Sequence, residues 1–126
     1  MTTRADRAFA TAVRTLASRK AEDLAVLDLR GITSLTDWFV ICHGTSDRQV
    51  RSLADEVLET VKKETGLPAR VEGYLEADWI LLDYGDFIVH VFSERARRYY
   101  DLEHLWGDAP RLDPAEVAGE DEPAGN

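Results

Sequence analysis

Residues 37–61, DWFVICHGTSDRQVRSLADEVLETV, decide the fold. Asp37 to Cys42 is β-branched and aromatic enough to form a strand buried on both faces. The chain leaves that strand through Gly44, and Ser46 with Gln49 three residues on has the spacing of a capping box. A helix starts there. Val50, Leu53, Ala54, Val57, Leu58 and Val61 form its apolar face, while Arg51–Asp55 and Glu59–Lys63 are opposite charges four residues apart on exposed positions. Lys62 and Lys63 suit the negative end of the helix dipole, and Gly66 followed by Pro68 ends the element.

Upstream, residues 4–19 set Ala5, Ala8, Phe9, Ala12, Val13, Leu16 and Ala17 at three- and four-residue spacing, the stripe of an amphipathic helix. Leu24 to Leu29, LAVLDL, reads as a strand ended by Arg30-Gly31. Downstream, residues 69–73 make a short third strand. WILLD (Trp79 to Asp83) and FIVHVF (Phe87 to Phe92) flank Tyr84-Gly85 as a tight β-hairpin. Ser93 to Trp106 has Tyr99, Leu102, Leu105 and Trp106 at helix-compatible spacing with Ser93 as N-cap, a short or broken helix. From Gly107 onward the chain holds three of its four prolines and no aromatic residue, the composition of a disordered tail.

This order predicts an α/β fold, a two-layer or three-layer sandwich with helices on a mixed sheet of about five strands. The strand-helix-strand unit over residues 38–73 predicts a parallel pair with a right-handed crossover. Residues 1–108 form the domain and 109–126 the acidic tail.

The chain has 126 residues and a formal net charge of -9, enough for one core without a disulfide or metal staple. No apolar run is long enough to cross a membrane, and no signal peptide or transit peptide is expected at the N-terminus. A single cysteine, Cys42, forms no internal disulfide and suits a reducing compartment, so the expected location is the cytoplasm. Residues 1–20 are basic, whereas the middle and the tail are acidic. Such a middle repels free DNA or RNA at long range and favours a basic partner surface, although solubility alone explains the acidity equally well.

Cys42 and His43 are neighbours on a strand and point to opposite faces, so they cannot share a proton. His90 lies inside an apolar strand and reads as a hydrogen-bonded core or surface histidine rather than a general base. Three scattered histidines and one cysteine lack metal-ligand spacing, so no metal site is expected. Gly44-Thr45-Ser46 at a helix start resembles a phosphate cradle, but Asp47 would repel an anion and no GxxxxGK[ST] pattern is present; helix capping explains it better. Asp83-Tyr84-Gly85-Asp86 places two carboxylates and a phenol at a turn, with Glu72, Glu76, Asp78 and Trp79 near in sequence. Asp83 and Asp86 are candidates for a cation or an acid-base pair, yet aromatic anchors ringed by acids fit recognition of a basic protein surface better.

Taken together, Asp37–Val50 (DWFVICHGTSDRQV), Ala54-Asp55-Glu56-Val57, Val71-Glu72-Gly73, Ala77–His90 (ADWILLDYGDFIVH) and Tyr100–Asp108 (YDLEHLWGD) resemble the ribosomal silencing factor, or Iojap-like, family over residues 5–108. The resemblance implies a nucleotidyltransferase-like α/β fold without catalytic residues: the Gly-Ser turn is present, but the metal-binding acid pair on the following strand is replaced by Asp55-Glu56 inside a helix. It implies no enzyme activity and no cofactor. It implies binding to the large ribosomal subunit through its fourteenth ribosomal protein, on the face that meets the small subunit, blocking subunit joining when nutrients are short. Carried over, the contact residues are Trp79, Leu81, Asp83, Tyr84, Asp86 and His90, with Glu72 and Asp78 at the rim. Tyr100, Leu105 and Trp106 also match, although a helix closing the core explains them too. The same surface suits a homodimer of the free protein that competes with the ribosome. Residual nucleotide binding and a generic acidic adaptor for some other basic protein are the alternatives.

Overall fold

The computed structural model describes residues 2–119. Thr3 and Asp6 exchange side-chain and backbone hydrogen bonds in a capping box that starts helix α1 (Arg4–Ser18). Ala8, Phe9, Ala12, Val13 and Leu16 of the expected stripe are buried, Ala5 is half-buried and Ala17 exposed, and Ala10, Thr11 and Thr15 are buried as well, so the covered surface of α1 is wider than the stripe. Strands β1 (Glu22–Asp28) and β2 (Trp38–Gly44) follow, then helix α2 (Asp47–Thr65), capped by the Ser46 hydroxyl accepting from the Gln49 amide. The Gln49 side chain accepts from the amide and hydroxyl of Thr45, one residue upstream of where a capping box would send it. Gly66 closes α2 in the left-handed conformation, its amide donating to the Lys62 carbonyl.

The exposed charge pairs expected along α2 do not form. Arg51 donates to the backbone carbonyls of Tyr74 and Leu75, and Asp55 accepts from the Tyr74 hydroxyl at 3.0 Å. Among the described residues, Glu59 and Lys63 make no ion pair. A guanidinium that can satisfy two loop carbonyls gains more than one loosely paired in water.

Strands β3 (Arg70–Glu72), β4 (Trp79–Asp83) and β5 (Phe87–Ser93) form an antiparallel meander. Helices α3 (Glu94–Tyr100) and α4 (Leu102–Leu105) are separated by Asp101 in the left-handed conformation, which gives the expected broken helix its break. Then come β6 (Arg111–Leu112) and α5 (Pro114–Gly119).

The sheet order is β3-β4-β5-β2-β1-β6, six strands rather than about five. Among the described residues its only parallel neighbours are β2 and β5, in register from Trp38–Phe87 to Gly44–Ser93. The parallel partner of β2 is therefore β5 and not the strand that directly follows α2. β3 is short and exposed throughout, suited to an edge, whereas β5 is almost wholly buried and takes the centre beside the fully buried β2.

The expected tail is partly wrong: residues 109–119 belong to the packed fold. Arg111 and Leu112 pair with Leu27 and Val26, the Asp28 amide donates to the Pro110 carbonyl at 2.8 Å, and α5 packs on α1 with Val117 buried. Ala109, Leu112 and Val117 supply just enough apolar surface to hold the segment down, so the domain does not end at residue 108. Residues 120–126 of that expected tail lie outside the described residues.

Two clusters of buried side chains lie on opposite faces of the sheet. On one face α1, α2 and α5 cover Val40, Cys42, Ile80, Leu82, Phe87, Val89 and Val91. On the other, α3 and α4 cover Leu27, Phe39, Ile41 and Phe92 with Ala96 and Leu102. The sandwich thus has three layers where those short helices reach and two elsewhere.

The link into β4 depends on one glycine. Gly73 has φ +79°, and a Cβ there would stand 2.1 Å from the Trp79 carbonyl oxygen. Gly73→Ala is expected to cost about 2–3 kcal/mol through strain and displacement of the β3–β4 backbone. A urea midpoint equal to that of the parent protein would show that this approach is not needed.

Candidate partner-binding face

Strand alternation sends Trp79, Leu81 and Asp83 to the face away from α1 and α2, together with Ile88, His90 and Phe92 from β5. The register sets Trp79 opposite Phe92, Leu81 opposite His90 and Asp83 opposite Ile88, while Glu72 and Arg70 of β3 stand opposite Leu81 and Asp83. Phe39 and Ile41 of β2 continue the two inner rows. Beyond the reach of α3 and α4, this face leaves Leu81, Asp83 and Ile88 half-buried and Glu72 exposed. A shallow hollow of about 230 Å³ is lined by Glu72, Gly73, Trp79 and Leu81.

Of the expected contact residues, the structure brings Trp79, Leu81, Asp83 and Glu72 together. Asp86 is exposed at the turn, and its carbonyl accepts from the Asp37 amide. Asp78 lies at the opposite end of β4, where its carboxylate accepts from the Ser93 hydroxyl at 3.1 Å. Tyr84 and His90 cannot be surface contacts as they stand. Tyr84, 8% exposed, alternates to the helix-covered face and stacks on Phe87 at 4.7 Å, where burial pushes its hydroxyl pKa up. His90, 3% exposed, lies beneath the open face in edge contact with Phe39 at 4.4 Å.

His90 instead holds Trp79 in place. The indole Nε1–H donates to His90 Nδ1 at 3.0 Å, which puts the imidazole proton on Nε2. Trp79 also packs against Phe92 at 5.0 Å and Tyr100 at 4.6 Å between centroids. A half-buried indole so tied is already in one orientation before any partner arrives, which lowers the ordering cost of binding.

Burial keeps the His90 imidazole neutral, pushing its pKa down to about 3. The unfolded chain takes up that proton near its ordinary pKa of about 6.5, so the unfolded state binds more protons between the two values. Stability from this site therefore falls as pH drops from about 6.5 towards 3, by up to about 1.4 kcal/mol per pH unit. His90→Asn keeps an acceptor for Trp79 but removes the titration, so its urea midpoint should depend less on pH between about 5 and 6.5. Equal slopes in the two proteins would refute the assignment.

Several neighbours of this face were not among the expected contacts. Ile88 was legible, since it alternates with His90. Arg97 was not, being hidden in a charged run. It is buried and donates to His43 Nδ1 at 3.0 Å, to the Glu22 carbonyl at 3.2 Å and to both oxygens of Glu103. Burial would raise the Glu103 pKa, but its bonds to Arg97 and the nearby charges of Arg97 and Arg111 outweigh that and hold the carboxyl below its ordinary value. This network anchors α3 and α4 to the sheet. Trp106 packs edge-on against Phe39 at 5.7 Å, and adjacent Leu105 is exposed.

The features that suggested other chemistry are engaged elsewhere. Thr45 and Ser46 spend their hydroxyls on Gln49, Asp55 accepts from Tyr74, and Glu56 pairs with Arg19 at 2.9 Å. Cys42 is fully buried on the α2 side while His43 bonds to Arg97 on the other, and burial pushes the thiol up to about 12. Among the described residues, no group of three or more His, Cys, Asp or Glu side chains is placed to hold a metal ion.

Comparison with known proteins gives the family of the chain. A family model described as "ribosomal silencing factor during starvation" matches residues 2–126. Ribosomal silencing factor RsfS of Halalkalibacterium halodurans is 47% identical over 103 residues, 81% of this chain and 87% of that protein. That of Bacillus subtilis is 46% identical over 95 residues, 75% of this chain and 80% of that protein. A crystal structure of a Chromobacterium violaceum protein superposes with a TM-score of 0.73 at 39% identity, covering 77% of this chain and 81% of the other. With a family match spanning almost every residue and relatives near half identity, the chain belongs to the ribosomal silencing factor family.

Proposed function

We propose that the protein represses translation by docking on the large ribosomal subunit, through its fourteenth ribosomal protein, where the small subunit must bind. The observation that carries this reading is the open sheet face, with Leu81, Ile88 and the pinned Trp79 at its centre and Glu72 and Asp83 beside them, on a chain of net charge -9. An aromatic and apolar centre supplies affinity, and an acidic rim steers towards a basic protein while discouraging nonspecific contact with RNA. The family's silencing role supports the ribosome as the target. Blocking by occupancy needs no reacting group, so repression follows affinity and concentration alone, in the cytoplasm where subunits join. Asp78 and Asp86 lie at the two ends of β4 and act, if at all, at the margin of the contact.

The test is co-sedimentation of the purified protein with large subunits, small subunits and joined ribosomes, together with subunit-joining assays after preincubation. Binding to large subunits alone, with fewer joined ribosomes formed, is the expected result. Binding to no particle, or binding to large subunits without loss of joining, would sink the reading.

Among the described residues, the part of this face beyond α3 and α4 is left uncovered, and a second copy can cover it. Such a homodimer would compete with the ribosome and dissociate on binding. Sedimentation across a wide concentration range checks this, and monomer alone at the highest concentration removes it.

A further inference from the structure

Beside the open face, α3 departs from the charge of the molecule around it. It carries three arginines against one glutamate in a protein of net charge -9. Ala96 and Arg97 face inward, so Arg95 and Arg98 stand out, their side chains 82% and 71% exposed. Their only ionic partners among the described residues are Asp78 at 3.8 Å and Glu94 at 3.2 Å, both exposed, and such pairs exchange easily for a stronger anion. Next to them Tyr99 is 80% exposed and meets Tyr100 edge-on at 5.0 Å, and Tyr100 packs on Trp79. Trp79, Arg95, Ala96, Tyr99 and Tyr100, with Asp78 at one side, line a cavity of about 270 Å³.

Tyr99 thus leaves most of its ring open to a stacking partner. Aromatic faces beside guanidinium groups are the composition that holds an unpaired nucleic-acid base together with its phosphate. Continuity with the docking face, through Tyr100 and Trp79, places that composition where a ribosomal protein and the RNA around it would both be within reach. We propose that α3 is an RNA-contacting ridge: Arg95 and Arg98 pair with backbone phosphates and Tyr99 stacks on an unpaired base, beside the protein contact made by the sheet. This rests on the ribosomal reading above. The division of labour explains how an acidic protein avoids free RNA yet uses RNA at its own site, since two local phosphate contacts cannot overcome the repulsion until the sheet face has docked.

The experiment compares the full chain with the double variant Arg95→Gln, Arg98→Gln and with Tyr99→Ala, each checked by thermal melting. Affinity is measured for intact large subunits over a series of salt concentrations and for the isolated fourteenth ribosomal protein without RNA. The expected double variant binds subunits more weakly and with a salt slope shallower by about 1.5, the contribution of two phosphate contacts. Tyr99→Ala should lose about tenfold in subunit affinity with the slope unchanged. Neither change should alter binding to the isolated protein. Unchanged subunit affinity and salt slope in the double variant overturn the proposal while leaving the sheet contact standing. An equal loss against the isolated protein also overturns it, because the arginines would then be reading an acidic stretch of protein. If the unmodified chain binds the isolated protein but no subunit, or neither, the ribosomal reading fails and the ridge fails with it.

Discussion

Leu81→Glu will weaken binding to large ribosomal subunits by about a hundredfold while leaving the melting temperature nearly unchanged. Leu81 is half-buried at the middle of a row running from exposed Glu72 to buried His90, on the part of the open sheet face that α3 and α4 do not reach. In the free protein a glutamate there keeps its water. In the complex it must be stripped of that water at the centre of an apolar contact, beside the existing carboxylate of Glu72, and pairing with a basic partner cannot fully offset it. Trp79→Ala should cost a similar amount, but it also leaves His90 Nδ1 without its donor and so lowers stability as well. Asp83→Asn separates steering from contact. Its amide oxygen can keep the bond that Asp83 Oδ1 accepts from the Gly85 amide at 2.9 Å, so the turn survives and only charge is lost. A few-fold slower association that vanishes at high salt is the expected result. If Leu81→Glu binds subunits as the parent does, the open face is not the docking surface.

Ending the chain at Asp108 will cost about 3–5 kcal/mol relative to a chain ending at Gly119. The shorter chain loses Val117 from the α1 side of the core, Leu112 and Ala118 that pack against it, and the bonds that β6 gives β1. It also loses Arg111, one of the two arginines on Glu103. A buried valine contributes about 1.5–3 kcal/mol, and the alanine face of α1 that α5 covers would meet water besides. Urea unfolding of the two truncated chains decides this. Equal midpoints for the chains ending at Asp108 and at Gly119 would show that the packed segment contributes nothing.

Local signals made the first half of the fold legible. Ser46, Gly66 and the apolar spacing between them fixed α2, and the unbroken apolar run at β2 identified a strand covered on both sides. Which strand lies beside β2 was not legible, because β5 comes 49 residues later by the register of Trp38 with Phe87 and no local pattern records that choice. The segment from Ala109 was misjudged because its prolines and acids outweigh three apolar residues in composition, although those three decide its packing. Within the site, alternation along β4 already separates Leu81 and Asp83 from Tyr84, and applying it strictly would have removed Tyr84 from the contact and added Ile88. The burial of His90 was not visible, since it depends on Trp79 and Phe39 closing over a strand that faces the open side.

The placement of β1 has a kinetic consequence. Residues 22–28 pair on one side with β2, near in sequence, and on the other with β6, more than eighty residues away by the register of Leu27 with Arg111. A chain emerging from its N-terminus can form α1 and the β1–β2 pair early, but it must wait for β5 to complete the centre and for β6 to close the far edge. Such distant pairings make folding slower than that of a helical domain of the same size. Until the last strand arrives, the outer edge of β1 offers free amides and carbonyls to any other extended chain nearby, so a folding molecule is most prone to aggregate before β6 docks.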